Sequence, residues 1–175
     1  MNKKIVIMGV AGSGKTTVGE MLAAATGLAY LDGDSLHPAS NIEKMSRGIP
    51  LSDDDRWPWL DAVGAALRDR ADAGGCIIGC SALRKAYRDR IRALAGADTT
   101  FIHLSGSRAL IGERMRARQG HFMPESLLDS QFATLEPPQA DEQAITVDIA
   151  VPVETLIEGL AAQLSGSQAP SGSAA

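Results

Sequence analysis

Residues 5–17 read IVIMGVAGSGKTT. The run from Ile5 to Gly9 is apolar without alternation, as expected of a strand covered on both faces. Gly9, Gly14, Lys15 and Thr16 then fit the spacing G-x-x-x-x-G-K-[S/T], with a helical segment after them, which is the context the motif needs. Glycines let successive backbone N–H groups turn inward around phosphate oxygens, and the first turn of the following helix adds free N–H groups and its dipole. Gly9, Val10, Ala11, Gly12, Ser13, Gly14, Lys15, Thr16 and Thr17 are therefore assigned to a nucleotide triphosphate. Lys15 would act on the β- and γ-phosphates in catalysis, and the Thr16 hydroxyl would ligate Mg²⁺. A glycine-rich turn with an incidental lysine would need neither the strand before it nor the helix after it.

Outward from this loop, short apolar runs recur at Leu28–Leu31, Cys76–Cys80 and Thr100–Leu104. Between Ile145 and Val151 apolar residues alternate with Thr146, Asp148 and Ala150, which predicts a half-exposed edge strand. Leu60, Val63, Leu67 and Ala71 follow the helical period, as do Leu83, Tyr87, Ile91 and Leu94. Val153, Leu156, Ile157, Leu160 and Leu164 form the most regular amphipathic face. Strands alternating with helices predict an α/β fold with a mostly parallel sheet, the phosphate loop lying at the carboxyl end of a central strand. The chain of 175 residues reads as one domain over 1–164, with a lid near 114–136. The small, polar stretch SGSQAPSGSAA, residues 165–175, reads as a disordered tail.

The balance of 17 Lys+Arg against 21 Asp+Glu argues against broad nucleic-acid binding, which needs a basic face. It leaves room for a small anionic substrate met by local cations. The two cysteines, Cys76 and Cys80, share one apolar segment and are expected reduced and buried, with neither metal spacing nor a disulfide framework. No segment approaches transmembrane length, and the N-terminus lacks the long apolar region of a signal peptide. A cytoplasmic protein without membrane partners is expected.

The second run ends in YLDGDSLHP. If the segment stays extended, Asp32 and Asp34 point the same way, toward the phosphates, with Asp34 beside an acceptor hydroxyl and Asp32 near the metal. The competing reading is an Asp-Gly turn. Cys76–Cys80 runs into Ser81 with no acidic residue at its end, so the Asp32/Asp34 pair is expected to serve where other P-loop enzymes use such an aspartate. Arg84 and Lys85 fall in the first turn of a helix expected to begin near Leu83, where cations oppose the helix dipole. Ligand contact by Arg84 would explain them, with Ser81 capping the helix or bonding the ligand. Arg88, Arg90 and Arg92 read as solvated charges. In residues 41–60, Ser52 and Asp55 form a capping-box pattern, and Asp53 and Asp54 suit the dipole. Pro58 is expected in the helix's first turn, and one indole of Trp57 and Trp59 in the core. Arg56 could fork onto a carboxylate, with Lys44 and His37 also near the acceptor. Arg114 and Arg118 lie four apart, on one helical face, before a hinge at Gly120. On a flap they would bind nucleotide, and Arg118 would clamp the transferring phosphoryl group. Arg108 and Arg116 read as a solvated face.

Together GVAGSGKTT, LDGDSLHPASNIEKMSRGIPLSDDDRWPWL, CSALRKAYRDRIR and GHFMPESLLDSQFATLEPP resemble the gluconokinases of the nucleoside-monophosphate-kinase-like P-loop group, over about Lys4 to Leu164. The resemblance implies ATP-dependent phosphorylation of D-gluconate on its 6-hydroxyl, Mg²⁺, a homodimer, and a five-stranded sheet in the order 2-3-1-4-5 with helices on both faces and a lid. By similarity to shikimate kinases it puts Asp34 on the acceptor hydroxyl. Ala11 and Thr16 are mild departures, and Arg84-Lys85 stands where relatives often carry two lysines. A kinase of the same fold for shikimate or a nucleoside monophosphate is the neighbouring alternative. A nucleotide switch is disfavoured by the lack of an N-K-x-D signature and of D-x-x-G at a strand end.

Overall fold

The computed structural model describes residues 3–118 and 125–166. Five parallel strands, β1 (Lys3–Met8), β2 (Ala29–Asp32), β3 (Gly75–Gly79), β4 (Thr100–Ser105) and β5 (Ala144–Asp148), form one sheet in the order β2-β3-β1-β4-β5. β1 is central, with Ile5 opposite Ile77 of β3 and Ile7 opposite Ile102 of β4. The half-exposed strand is an edge strand, as its alternation predicted, although it ends at Asp148 and Ile149 is buried beyond it.

Among the described residues six helices connect the strands, α1 (Lys15–Thr26), α2 (Ala39–Ser46), α3 (Asp53–Ala71), α4 (Lys85–Ala95), α5 (Arg108–Ala117) and α6 (Glu125–Thr134), and α7 (Val153–Gly166) follows β5. The unbroken apolar reading of β1 has its reason in two cores. Ile5 and Ile7 pack with Ile77, Ile102, Leu22 of α1, Ile111 of α5, Leu128 of α6 and Leu160 of α7. Val6 and Met8 face the other way, onto Ile78, Phe101, Leu60 and Val63 of α3 and Ile91 of α4. From β1 the chain moves first to β2 and β3 on one side of it and then crosses to β4 and β5 on the other. At this reversal of strand order a crevice opens at the carboxyl ends of the strands, where this class of sheet binds ligands.

Several boundaries differ from expectation. α4 begins at Lys85 rather than near Leu83. Arg84 is extended, with φ −102 and ψ 147, so the helix starts only after it. Pro58 stands in the second turn of α3 and not the first; its ring faces solvent, where the loss of one intrahelical donor is tolerated. α7 continues through Gly166, so the expected tail begins later, and its remainder, 167–175, lies outside the described residues. Residues 119–124 of the expected lid, including Gly120, lie outside them too. Among the described residues no helix is long and apolar enough to cross a membrane.

Candidate active site

The phosphate loop is built by the backbone. Gly14 caps α1 in the left-handed region, φ 97, and has open space where a Cβ would stand, so conformation and not crowding demands glycine there. Gly12 has both constraints: its φ is 77, and a Cβ would approach Met115 of α5 to 2.5 Å. The Gly9 N–H donates to the Ser81 carbonyl at 3.2 Å, binding the loop to the end of β3. Ser13 Oγ is buried without a hydrogen-bond partner. Lys15 Nζ donates to the carbonyls of Gly9 and Val10, each at 3.0 Å. Burial lowers the Lys15 pKa, and Asp34, Cys80 and Asp32 oppose that shift. Thr16 and Thr17 are exposed on the first turn of α1.

Beside the loop lies a cleft of about 420 Å³ lined by Gly12–Gly14, Thr17, Arg114, Arg118 and the turn Ile149–Val153. The two arginines assigned to nucleotide thus share one cavity with the phosphate loop. Arg114 Nη2 also donates to the Ile149 carbonyl at 2.6 Å, which fixes its guanidinium on the wall formed after β5. Arg118 follows α5 as its C-cap.

Asp32 and Asp34 do not share an extended segment. The chain leaves β2 at Asp32 and makes a 3₁₀ turn over Gly33–Leu36, with Asp32 Oδ1 accepting the Asp34 N–H at 2.9 Å. The turn reading therefore describes the backbone, with Asp32 as its cap. The turn needs glycine at 33 because it lies against the Gly79 carbonyl, where a Cβ would come within 2.3 Å. Both carboxylates still lie close enough to Lys15 for their charges to act on its ammonium. Solvent reaches Asp34, but partial desolvation of its carboxyl raises its pKa. Asp32 raises it further, while His37 and Lys15 pull it down.

His37 is buried and stacked on Trp59, centroids 4.1 Å apart. Trp59 is the core indole, donating Nε1–H to the Gly33 carbonyl at 2.8 Å. Asn41 Nδ2 lies 3.2 Å from His37 Nδ1. An amide nitrogen can only donate, so Nδ1 is the acceptor and the ring proton belongs on Nε2. Burial lowers the His37 pKa, favouring this neutral form.

The expected acceptor cations separate into two groups. Lys44 Nζ is 2.8 Å from both oxygens of Asp55, the capping-box residue of α3, so it reinforces a helix start. Arg56 and Arg84 instead converge on Asp53, at 3.6 Å and 3.4 Å, and both lie over the Tyr87 ring, 5.6 Å and 5.9 Å from its centroid. Tyr87 Oη also hydrogen-bonds Asp53. Two guanidinium groups sharing one carboxylate leave local positive charge and free donors for a second carboxylate. Ser81 does not cap α4; Arg84 occupies that position, without a side-chain cap. Lys85 turns along the helix to Asp89, 2.7 Å away.

The reading of Arg88 as a solvated charge is overturned. Its side chain is fully buried and pairs with Glu142, Nε to Oε1 at 2.7 Å and Nη2 to Oε2 at 3.1 Å. Burial pushes Glu142 up, but hydrogen bonds from Arg88 and the Gln139 N–H outweigh it and hold its carboxyl below the usual range. Arg92 is also largely buried, 4.4 Å over the Phe101 ring, whereas Arg90 pairs with Asp61 near the surface.

A family profile described as an AAA domain matches residues 5–138. The thermosensitive gluconokinase of Escherichia coli K12 is 49% identical over 151 residues, covering 84% of this chain and 79% of that protein. The chain belongs to the gluconokinase family. Among solved structures, a gluconokinase from Sinorhizobium meliloti 1021 superposes with a TM-score of 0.83 at 44% identity, over 96% of this chain and 98% of that one. A sugar kinase from Janibacter sp. HTCC2649 gives 0.87 at 46% identity, over 94% and 95%.

Three residues in contact with this candidate site escaped the sequence reading. Asp53 was explained by the helix dipole, and Tyr87 by its place in an apolar period. Gln131 of α6, whose Oε1 accepts the Ala11 N–H of the phosphate loop at 2.6 Å, carries no local signal, because the contact joins segments far apart in the chain.

Proposed function

We propose that the chain catalyses transfer of the γ-phosphoryl group of ATP to the 6-hydroxyl of D-gluconate. The observation that carries the reading is that the phosphate loop after β1 and the turn after β2 bring Lys15 and Asp34 close enough at the carboxyl ends of the strands for their charges to act on one another, a phosphate-binding ammonium near a carboxylate able to take a hydroxyl proton. Membership of the gluconokinase family supplies the acceptor's identity.

The residues fit the nucleotide and its metal. The open space at Gly14 and the unpartnered buried Ser13 hydroxyl suit phosphate oxygens. The cleft lined by Arg114, Arg118 and Ile149–Val153 suits the rest of ATP. Thr16 and Asp32 offer the hard oxygen ligands Mg²⁺ prefers, supplemented by phosphate oxygens. Bound Mg²⁺ would neutralise charge on the β- and γ-phosphates. In the reaction the acceptor oxygen forms a bond to the γ-phosphorus as the bond to the β-bridging oxygen breaks, releasing ADP, and the hydroxyl proton passes to Asp34. Lys15 and Arg118 offset the charge on the moving group. Arg56 and Arg84 hold the gluconate carboxylate, with Tyr87 beneath them; His37 and Ser81 face the hydroxyls. Lys44 supports this wall through Asp55. A homodimer, a cytoplasmic location and a lid over 114–136 within one kinase domain belong to the same proposal, on the strength of the family resemblance.

Asp34→Asn removes the proton acceptor while keeping the shape. Its kcat should fall by on the order of 10²–10⁴. Because desolvation raises the Asp34 pKa, the wild-type acid limb should lie above that of an ordinary aspartate, and the variant should lack it. A variant with wild-type kcat and the same acid limb would remove Asp34 from this role.

A further inference from the structure

A set of polar contacts not used by the chemistry runs through one stretch, Gln131 to Glu142. In α6, Gln131 Oε1 accepts the Ala11 N–H of the phosphate loop at 2.6 Å. Five residues on, Glu136 is bonded three ways to residues 83–88, the end of the loop after β3 and the first turn of α4. Its N–H donates to the Leu83 carbonyl at 2.8 Å, its Oε2 accepts the Lys85 N–H at 2.8 Å, and its carbonyl accepts Arg88 Nη2 at 3.0 Å. The buried Arg88 also donates Nη1–H to the Ala82 carbonyl at 2.9 Å. Ala82 is held at φ 44, a conformation that an L-residue with a side chain keeps only when its surroundings impose it. Glu142 closes the arrangement by pairing with Arg88.

The phosphate loop holds the donor, and residues 81–84 present Ser81 and Arg84 to the acceptor. One segment is hydrogen-bonded to both. We propose that Gln131 and Glu136 are positioning residues for phosphoryl transfer, fixing the phosphate loop and the acceptor-side loop relative to one another through the end of α6. The inference rests on the gluconate-kinase reading. Neither residue needs to touch a substrate: Gln131 acts through Ala11, and Glu136 through Leu83 and Lys85, which flank Arg84. In-line transfer is sensitive to such placement, since a misplacement of about 1 Å originating far from the chemistry can cost roughly 100-fold in rate.

The test compares Gln131→Met, Glu136→Ala, Glu136→Gln and the double variant Gln131→Met/Glu136→Ala in steady-state kinetics with ATP and gluconate, alongside thermal midpoints. Gln131→Met and Glu136→Ala should each lower kcat by roughly ten-fold, with midpoints close to wild type because Glu136 is exposed and Gln131 only half-buried. Glu136→Gln keeps an oxygen acceptor for the Lys85 N–H and should recover most of the rate. The double variant should be about as slow as the slower single, since cutting either end frees the same segment. Losses that multiply in the double variant, wild-type kcat in either single, no recovery in Glu136→Gln, or a loss that tracks a fallen midpoint would each overturn the proposal. Failure of the gluconate reading would be separately visible, as ADP release indifferent to gluconate by the unaltered protein.

Discussion

Asp55 accepts Lys44 on both oxygens, at 2.8 Å, and its Oδ2 accepts the Ser52 N–H at 2.9 Å while the Ser52 hydroxyl accepts the Asp55 N–H. These bonds, that from Lys44 first, hold its pKa at about 2 against an ordinary 3.8. A carboxylate whose pKa is depressed on folding stabilises the fold fully above the ordinary value and loses that contribution as pH falls through the folded one. Asp55→Asn should therefore lower the thermal midpoint at neutral pH, with the gap to wild type closing between about pH 4 and pH 2. A gap independent of pH would show that charge at Asp55 does not support α3. The capping box itself was legible, because Ser52 and Asp55 stand at its fixed spacing. The partnership with Lys44 was not, since it joins residues on two different helices.

The same difference governs the elements. Ile5–Met8 announces a buried strand, because a central parallel strand meets helices on both faces and has no polar side to show. Ile145–Val147 announces an edge by its alternation. The start of α4 was misread because the apolar period of Leu83, Tyr87 and Ile91 runs on through a loop in which Arg84 is extended and not helical. Arg88, one residue beyond Tyr87, looked like the surface arginines near it. Its burial depends on Glu142, 54 residues later, and spacing along one helix carries no trace of such a pair. Arg88→Ala would leave Glu142 buried without its partner and should cost about 3–5 kcal/mol in urea unfolding. Replacing both together, Arg88→Met with Glu142→Leu, should cost less than the single change. A loss below about 1 kcal/mol for Arg88→Ala would mean that Arg92, 3.8 Å from Glu142 Oε1, and the Gln139 N–H are enough to hold the buried carboxylate.

Across the whole molecule, sheet order turns separate motifs into one site. β1 delivers the phosphate loop, β2 delivers Asp34 through the turn capped by Asp32, and β3 delivers the segment leading to Arg84. α3 brings Arg56 and Asp53 against Arg84 and Tyr87. The proposed carriers of chemistry were nameable from sequence because each sits on a local pattern that physics restricts: a phosphate loop, a paired acid, cations at a helix start. Their partners Asp53, Tyr87 and Gln131 were not, because only the assembled fold brings them there. The central claim is that this edge joins ATP to a sugar acid. It is tested most directly by measuring ADP release from Mg·ATP with gluconate, shikimate, a nucleoside monophosphate or no acceptor. Stimulation by gluconate alone, with one 6-phosphogluconate formed per ADP, is the predicted result; turnover indifferent to gluconate, or stimulated by another of these acceptors in its place, would contradict it.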